Sequence, residues 1–241
     1  MPGPSVRLGA VTTLLSLPAA SSVRVRTPAD VAMDVRVEDA PLLVRPEHVG
    51  GRVAWTDLVR CGALVRVRED TAVRPTTELT PAVRALSLAP LVPPRTVVGG
   101  TSAAWVHCGF PGDSVVEVVH PLGVHRPPPR HGRVARQSAL LRPETIELGT
   151  VLVTSVERTA VDVACLTDPR LAAPVLSALL EGAGLDVRAA LRVLDLRHRR
   201  TGRPRARALL TDLLSASTPP DAGSSPGAGS SPGAGATPRL P

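Results

Sequence analysis

The sequence predicts an α+β protein in which helices and strands occupy separate parts of the chain. A helix-like segment followed by a glycine and a basic hairpin fills residues 51–75. Valine-rich runs of strand length, bounded by proline and glycine, fill much of residues 95–153. From residue 154 onward the apolar residues recur with helical spacing. Hairpin, then strands, then a run of helices is an order typical of the α+β class.

Composition limits the core and weakens the argument from charge. The 241 residues suffice for one medium domain and one small one, and 43% of them are apolar. With one Phe, two Trp and no Tyr, the core must be built from Val, Leu and Ala. A net charge of +7 would ordinarily suggest a nucleic-acid partner. All 28 positive residues are Arg, however, and Lys and Asn are absent, which indicates a GC-rich coding bias, so the basicity is weak support.

The cysteines and the hydropathy pattern indicate a cytoplasmic protein. Cys61, Cys108 and Cys165 are odd in number and widely spaced, which fits neither a disulfide framework nor a zinc site. No apolar run is long enough to span a bilayer. The apolar stretch Leu8–Leu17 resembles a secretory signal only weakly, because a single charged side chain precedes it. We therefore expect a cytoplasmic location and no membrane partner.

The first readable element is a short helix that leads into a hairpin. Residues 1–50 show poor periodicity, and no fold can be assigned to them. Arg52–Cys61 is a predicted helix, and Gly62 supplies the left-handed residue at its end. Val65–Arg68 and Thr71–Arg74 are predicted strands around the turn Glu69-Asp70. This pattern is typical of the second half of a winged helix, and it also describes an ordinary helix–hairpin connection. The buried candidates in the helix are Val53, Leu58 and Cys61.

The middle of the chain is predicted to be a small α/β domain. Prolines at 90, 93 and 94 end a preceding helix and open this region. The segment Gly123–Gly132 is rich in Pro, His and Arg and is a predicted loop. The predicted helices are Pro81–Leu91 and Ser102–Val106, and the predicted strands are Val115–His120, Arg133–Leu140 and Thr150–Val153.

The last ordered part is predicted to be a helical bundle followed by a disordered tail. Thr154 and Glu157 have the spacing of a capping box for a helix that runs to Leu166. Three further helices begin at Asp168-Pro169, at Asp186 and at Pro204, and the last ends at Leu214. Residues 215–241 are rich in Pro, Gly, Ser and Ala, so they cannot bury enough surface to offset their chain entropy.

The reactive residue types do not form a catalytic or metal site. His107 and Cys108 are adjacent, so their side chains diverge, and a buried structural histidine is the better interpretation. His120, His125 and His131 have no common ligand spacing and no carboxylate among them, so we interpret them as solvated loop histidines. We expect no catalytic residue, no bound metal and no cofactor.

Two arginine patterns allow a structural and a functional interpretation. Arg158 and Asp162 are four residues apart on a predicted helix, which favours a surface ion pair over a guanidinium that grips a phosphate. The segment Arg188–Arg207 contains eight arginines and one acid, Asp195. It could contact a nucleic-acid backbone or form the solvated face of two helices.

Two motifs carry a resemblance to a known family. Thr101 to Gly109 reads T-S-A-A-W-V-H-C-G and resembles the S-A-A-x-x-H-G segment of AbiEi-type antitoxins of type IV toxin–antitoxin systems, with Cys108 inserted. Val153 to Ala164 is similar to that family's V-T-S-x-x-R-T-x-x-D-x-A segment. The resemblance covers about residues 52–214. The motif positions interpreted as structural are Ser102, His107, Thr154, Glu157, Arg158, Thr159 and Asp162.

The resemblance implies a winged helix that represses its own operon and a second domain that counters a nucleotidyltransferase-type toxin without a tight complex. In the winged helix the match stops at the turn, where Asp70 replaces the expected Gly and Val73 lies near the expected Tyr. Many relatives continue past a segment like Gly202 to Leu210 into an endonuclease domain, whereas this chain runs into the tail. We therefore expect a protein that acts by binding and not by catalysis.

The sequence thus predicts four parts and one leading function. The parts are a poorly defined segment at 1–50, a partial, degenerate winged helix at 51–80, an α/β domain at 95–214 and a tail at 215–241. The leading function is an antitoxin-like transcriptional regulator whose partner is operator DNA. The alternatives are an orphan interaction module without DNA binding and, third, a residual nucleic-acid enzyme. The predicted phosphate contacts are Arg52, Arg60, Arg66, Arg68 and Arg74, with no base-reading residue assigned.

Overall fold

A computed structural model describes residues 41–110 and 115–217 of the chain. These residues form helices and a mixed sheet, which confirms the predicted α+β class. The helices are α1 Arg52–Arg60, α2 Pro81–Leu88, α3 Gly100–Cys108, α4 Val156–Leu166, α5 Pro169–Ala183, α6 Val187–Asp195 and α7 Arg203–Ser217. The strands are β1 Val65–Arg68, β2 Thr71–Val73, β3 Val97–Val98, β4 Val116–His120, β5 Arg133–Gln137, β6 Thr145–Leu148 and β7 Val151–Thr154.

The N-terminal unit is built from α1 and the antiparallel hairpin of β1 and β2. Gly62 follows α1 with φ +77°, the left-handed conformation that the sequence predicts there. Val44 adds a third strand segment beside β2, since it exchanges two backbone hydrogen bonds with Ala72, with N···O distances of 2.7 and 2.9 Å. The helix, glycine and hairpin are therefore confirmed. Within residues 41–50, to which no fold could be assigned, Val44 pairs with the hairpin and the short 3-10 turn Pro46–His48 lies against α1.

A small core holds this unit together, and its centre is Trp55. Trp55 and Leu58 lie three residues apart on α1 and face the hairpin, where Leu64 and Ala72 complete the cluster. The predicted burial of Leu58 is confirmed, but that of Val53 is wrong, because Val53 is on the opposite face of the helix and is 80% exposed. The predicted burial of Cys61 is wrong as well, since that residue follows the last helical turn and is exposed.

A five-stranded mixed sheet forms the middle of the molecule, with strand order β5-β4-β3-β7-β6. β3 is antiparallel to β4 and parallel to β7, while β5 runs parallel to β4 and β6 antiparallel to β7. The predicted strands correspond to β4, β5 and β7, and the loop at 123–132 joins β4 to β5. β3 and β6 are not in the sequence prediction, because two residues are too few for a pattern and the polar–apolar alternation of Thr-Ile-Glu-Leu in β6 extends over only four residues.

The helices α4 to α7 pack into a bundle around a second core of small and aliphatic side chains. α5 and α6 begin at Asp168 and Asp186, whose carboxylates accept backbone N–H bonds as predicted, and α5 ends at Gly184 with φ +65°. α7 continues through Ser217, three residues past its predicted end at Leu214, so the first three residues of the predicted tail are helical. The predicted tail from 218 onward and the predicted segment 1–40 lie outside the described residues.

α3 joins the sheet to the bundle. It has no charged residue and no exposed polar face, and every residue from Gly100 to His107 is buried, including Thr101 and Ser102. Ala104 belongs to the bundle core, whereas Trp105 and Val106 belong to the cluster beneath the sheet. The helix predicted over 102–106 is thus present and longer at both ends. Because Trp105 also lies under the Arg68 guanidinium, the N-terminal hairpin packs against the same element.

Candidate functional site

The exposed face of α1 is the first candidate site. Arg52, Val53, Thr56 and Arg60 are exposed, while Trp55 and Leu58 of the same helix are buried. Positions 52, 56 and 60 are successive i, i+4 neighbours, so they form one stripe along the helix. The stripe therefore presents two guanidiniums, one hydroxyl and one bare isopropyl group to solvent.

Two of the predicted phosphate contacts, Arg66 and Arg68, lie on β1 and stack on tryptophans. The Arg66 guanidinium lies 5.0 Å from the centre of the Trp55 ring, and that of Arg68 lies 5.7 Å from the Trp105 ring. Both separations are within cation–π range. Stacking holds the two side chains along the hairpin surface, so they are partly preorganised, and Arg74 follows the end of β2.

Acidic residues accompany the arginines of α1. Arg52 donates to Asp70 at the hairpin turn at 2.5 Å, and Arg60 donates to Asp57 at 2.8 Å. The side chains in both pairs are at least 36% exposed, so each pair is worth roughly 0.2–1 kcal/mol and is weakened by salt. A phosphate can displace such a carboxylate, but the acidic turn also reduces the local positive potential.

The two family-like motifs meet in the structure through His107. The buried imidazole donates from Nε2 to the carbonyl oxygen of Thr154 at 2.7 Å, which links α3 to the end of β7. Burial lowers the pKa of His107, an effect only partly opposed by the Thr154 hydrogen bond and by Glu157, with Arg84 lowering the pKa further. Ser102 accepts from the backbone N–H of Glu117 at 2.9 Å and so ties α3 to β4.

The predicted capping box at the start of α4 is wrong. Ser155 is the N-cap, and its hydroxyl accepts from the N–H of Arg158 at 3.3 Å. Thr154 is the last residue of β7, and its hydroxyl instead lies 2.7 Å from that of Thr159 inside the protein. Ser155 therefore caps the helix instead of Thr154, because Thr154 is still paired with β6 in the sheet.

The predicted surface pair of Arg158 and Asp162 is also wrong, because both side chains are buried, with exposures of 0% and 2%. Arg158 Nε donates to Asp162 at 2.8 Å, and its Nη1 donates to Glu144 at 2.8 Å and to the carbonyl of Ala139 at 3.0 Å. Its Nη2 donates to the Ser138 hydroxyl at 2.8 Å. Three of these four hydrogen bonds tie α4 to the chain between β5 and β6, and the fourth, to Asp162, stays within α4.

Two arginines from the chain between α6 and α7 complete this buried network. Arg197 pairs with Glu144, and Arg200 donates to Asp162 at 2.5 Å. Although burial alone would raise the pKa of Glu144, the N–H of Leu141 and the guanidiniums of Arg197 and Arg158 hold it below its usual value. Each carboxylate therefore sits between two guanidiniums. We call Ser138, Glu144, Arg158, Asp162, Arg197 and Arg200 the arginine network.

Most of the remaining arginines in the segment 188–207 have partners within the protein. Arg205 donates to the carbonyls of Ala164, Cys165 and Thr167 at 2.8–3.2 Å, so it caps the end of α4. Arg203 and Arg207 both pair with Asp195. The segment is therefore largely a set of internal links, and neither a continuous solvated face nor a free phosphate-binding run describes it.

The loop histidines differ from the prediction at one position. His120 is not a solvated loop residue: it is in β4, is 4% exposed, and its Nδ1 lies 3.3 Å from the carbonyl oxygen of Val124. His125 and His131 are in the loop and are exposed, as predicted. Within residues 41–110 and 115–217, no three His, Cys, Asp or Glu side chains are grouped so that they could hold a metal ion.

Comparisons with known proteins leave the family open. No family model matches the chain, and no curated protein matches it. A solved structure titled as the RV2827C protein from Mycobacterium tuberculosis is 20% identical, and the alignment covers 76% of this chain and 74% of that one. The TM-score is 0.36, which does not establish a shared fold. Among the described residues, no helix is both long and apolar enough to cross a membrane.

Ser138, Glu144 and Trp55 are the residues that sequence reasoning missed. The motif around Arg158 and Asp162 pointed to the right positions but to the wrong environment. The apolar sequence around Asp162 is the signal that could have shown that this helix is buried. The helix has no continuous charged face, because the residues beside Asp162 are small or aliphatic: Thr159, Ala160, Val161, Val163 and Ala164.

Proposed function

We propose that this protein is a DNA-binding transcriptional regulator of the antitoxin type. The observation that carries the proposal is the N-terminal unit, in which Val44, α1 and the β1–β2 hairpin are arranged as in the second half of a winged helix. Such units place one helix in the major groove and a basic hairpin beside it, against the backbone. The predicted contacts Arg52, Arg60, Arg66 and Arg68 lie on that helix and hairpin.

The exposed stripe on α1 supplies the base-reading residues that the sequence left unassigned. Val53 presents an isopropyl group, which suits the methyl group of thymine. Thr56 presents a hydroxyl that donates to the Arg52 carbonyl at 2.8 Å and can accept from a base-edge donor. Arg52 and Arg60 flank them and are suited to phosphates. Operator recognition on this proposal combines arginine contacts to the backbone with one apolar and one polar contact to base edges.

The antitoxin part of the proposal rests on the family-like motifs. Both motifs supply the contacts that join α3, β7 and α4, so they support a shared architecture in the second domain. A functional relation to a nucleotidyltransferase-type toxin follows from the resemblance, without a tight complex. Co-expression with the toxin encoded beside this gene, where there is one, should restore growth, while co-purification should yield no stable complex.

A gel-shift titration against the DNA upstream of the gene, at two salt concentrations, tests the regulator proposal. The wild type should shift that DNA with an affinity that falls steeply as salt rises. Val53→Ala and Thr56→Ala should weaken binding to the upstream DNA more than binding to random DNA, whereas Arg188→Gln, a change of an exposed side chain on α6, should match the wild type. Absence of any shift at low salt would exclude the proposal.

The acidic partners of α1 favour one competing function, an interaction module without DNA binding. Asp57 and Asp70 neutralise Arg60 and Arg52, and the hairpin turn is Glu69-Asp70 instead of a basic tip. Asp70→Asn distinguishes the two, because it removes a negative charge without removing the arginine. A DNA-binding protein should bind more tightly after this change, and a module without DNA affinity should remain unshifted.

A further inference from the structure

A cavity of about 220 Å³ opens beside the arginine network, at the edge of the sheet. The end of β5 contributes Arg136 and Gln137 to its wall, and the chain between α6 and α7 contributes Arg200 and Thr201. Asp162 is the acidic residue in that wall. The proposed DNA-binding function does not use this cavity.

The charged side chains around the cavity do not balance. Arg136 pairs with Glu117, whose other oxygen accepts from the Thr101 N–H at 3.1 Å. Burial lowers the pKa of Arg136; Asp162 opposes that shift, and the neighbouring Arg200 and Arg158 add to it. In the cavity wall itself, Arg136 and Arg200 outnumber Asp162. With the ion pairs behind the wall included, four guanidiniums stand against three carboxylates, which leaves one excess positive charge in a largely buried cluster; they are Arg136, Arg158, Arg197 and Arg200 against Glu117, Glu144 and Asp162.

Arg200 in the cavity wall is also poorly satisfied on its buried side. Its Nε is enclosed and has no oxygen or nitrogen acceptor among the described residues. The group that interacts with Arg200 there, both electrostatically and as a hydrogen-bond partner, is the Cys165 thiol, and a thiol is only a weak acceptor. A buried cation with so weak a partner is costly, so negative charge in the adjacent cavity would stabilise this arrangement.

We propose that the cavity binds a phosphate-type oxyanion. Its oxygens would accept from the guanidiniums of Arg136 and Arg200 and from the hydroxyl of Thr201, and its charge would offset the excess. Asp162 does not prevent this, because its Oδ1 already accepts from Arg158 at 2.8 Å and from Arg200 at 2.5 Å. The oxyanion is either free phosphate or a phosphate of a nucleic acid, and the site stands or falls independently of α1.

The test is an NMR titration that follows the Nε–Hε signals of the arginines in the full chain. Sodium phosphate replaces sodium chloride at constant ionic strength, so that general salt effects are matched. The signals of Arg136 and Arg200 should shift saturably. Arg200→Gln should weaken phosphate binding about tenfold or more, because a charge-assisted hydrogen bond is lost, while Arg207→Gln in the Asp195 cluster should bind as the wild type does.

A second variant keeps the proposal testable where Arg200→Gln fails to fold. Thr201→Val lies outside the ion pairs, retains the size of the side chain and should weaken phosphate binding several-fold. A wild type without saturable shifts, or a Thr201→Val variant with unchanged affinity, overturns the proposal. Adding duplex DNA to the phosphate-loaded protein separates the two sources: displacement assigns the site to a nucleic-acid phosphate, and retention assigns it to the free anion.

Discussion

Replacement of Arg158 by leucine is expected to destabilise the protein by about 3–5 kcal/mol, the cost typical of breaking a buried ion pair. The change removes hydrogen bonds to Asp162, Glu144, Ser138 and the Ala139 carbonyl. It also leaves each buried carboxylate with a single guanidinium, Arg200 on Asp162 and Arg197 on Glu144. Because globular proteins are stable by about 5–15 kcal/mol, this is a large fraction of the total.

Urea unfolding followed by circular dichroism measures this loss as a lower midpoint with an unchanged slope. The matched control is Arg192→Leu, since Arg192 pairs with Asp186 at 3.6 Å with exposures of 70% and 55%. That exposed pair should contribute less than about 1 kcal/mol. A loss of only that size for Arg158→Leu would mean that the arginine network does not hold α4 to the sheet, and would refute the reasoning.

Three further changes test other parts of the structure. Gly202→Ala should cost well over the ~1–2 kcal/mol of a left-handed φ alone, because the added Cβ would lie 2.2 Å from the carbonyl oxygen of Cys165. Gly184→Ala has free space around the added Cβ and should cost only the strain of the left-handed φ. Thermal unfolding of the two variants compares these losses. Ser155→Ala should cost about 1 kcal/mol as a lost cap, and Glu157→Ala, which removes the side chain that a capping box needs, at most a few tenths; equal losses would restore the capping box. His107→Gln should flatten the pH dependence of stability below pH ~6.5. Folding lowers the pKa of His107, so its contribution to stability is complete above the unfolded-state pKa and is lost as pH falls toward the folded-state pKa. A variant whose pH–stability profile matches that of the wild type would contradict this.

The elements with local determinants could be predicted from the sequence. Gly62 and Gly184 end helices because they adopt a left-handed conformation, and Asp168 and Asp186 begin helices because their carboxylates accept nearby N–H groups. Each of these depends on residues within a few positions. The helix–hairpin order of the N-terminal unit was predictable for the same reason.

The arginine network could not be predicted, because its partners are distant in the chain. An Arg and an Asp four residues apart look the same on an exposed helix and on a buried one. What decides between them is Glu144, which is 14 residues from Arg158 and 53 residues from Arg197. The third strand segment at Val44 was missed similarly, since its pairing with Ala72 depends on tertiary contact and not on a local pattern.

The choice of helix cap shows a smaller failure with the same origin. Thr154 and Ser155 are adjacent hydroxyl residues, and either could cap α4 by sequence alone. Pairing of β7 with β6 extends through Thr154, which turns its side chain toward Thr159 and leaves Ser155 as the first residue free to cap.

The central claim is that the arginines of α1 bind DNA while those at the start of α7 have internal structural roles. Fluorescence anisotropy with labelled upstream DNA over a range of salt concentrations tests it most directly. Arg52→Gln/Arg60→Gln should weaken binding and reduce the slope of log K against log salt by about 2, one for each lost phosphate contact. Arg203→Gln/Arg207→Gln, which removes the same charge, should leave both unchanged. The reverse pattern, or equal effects of the two pairs, would contradict the account.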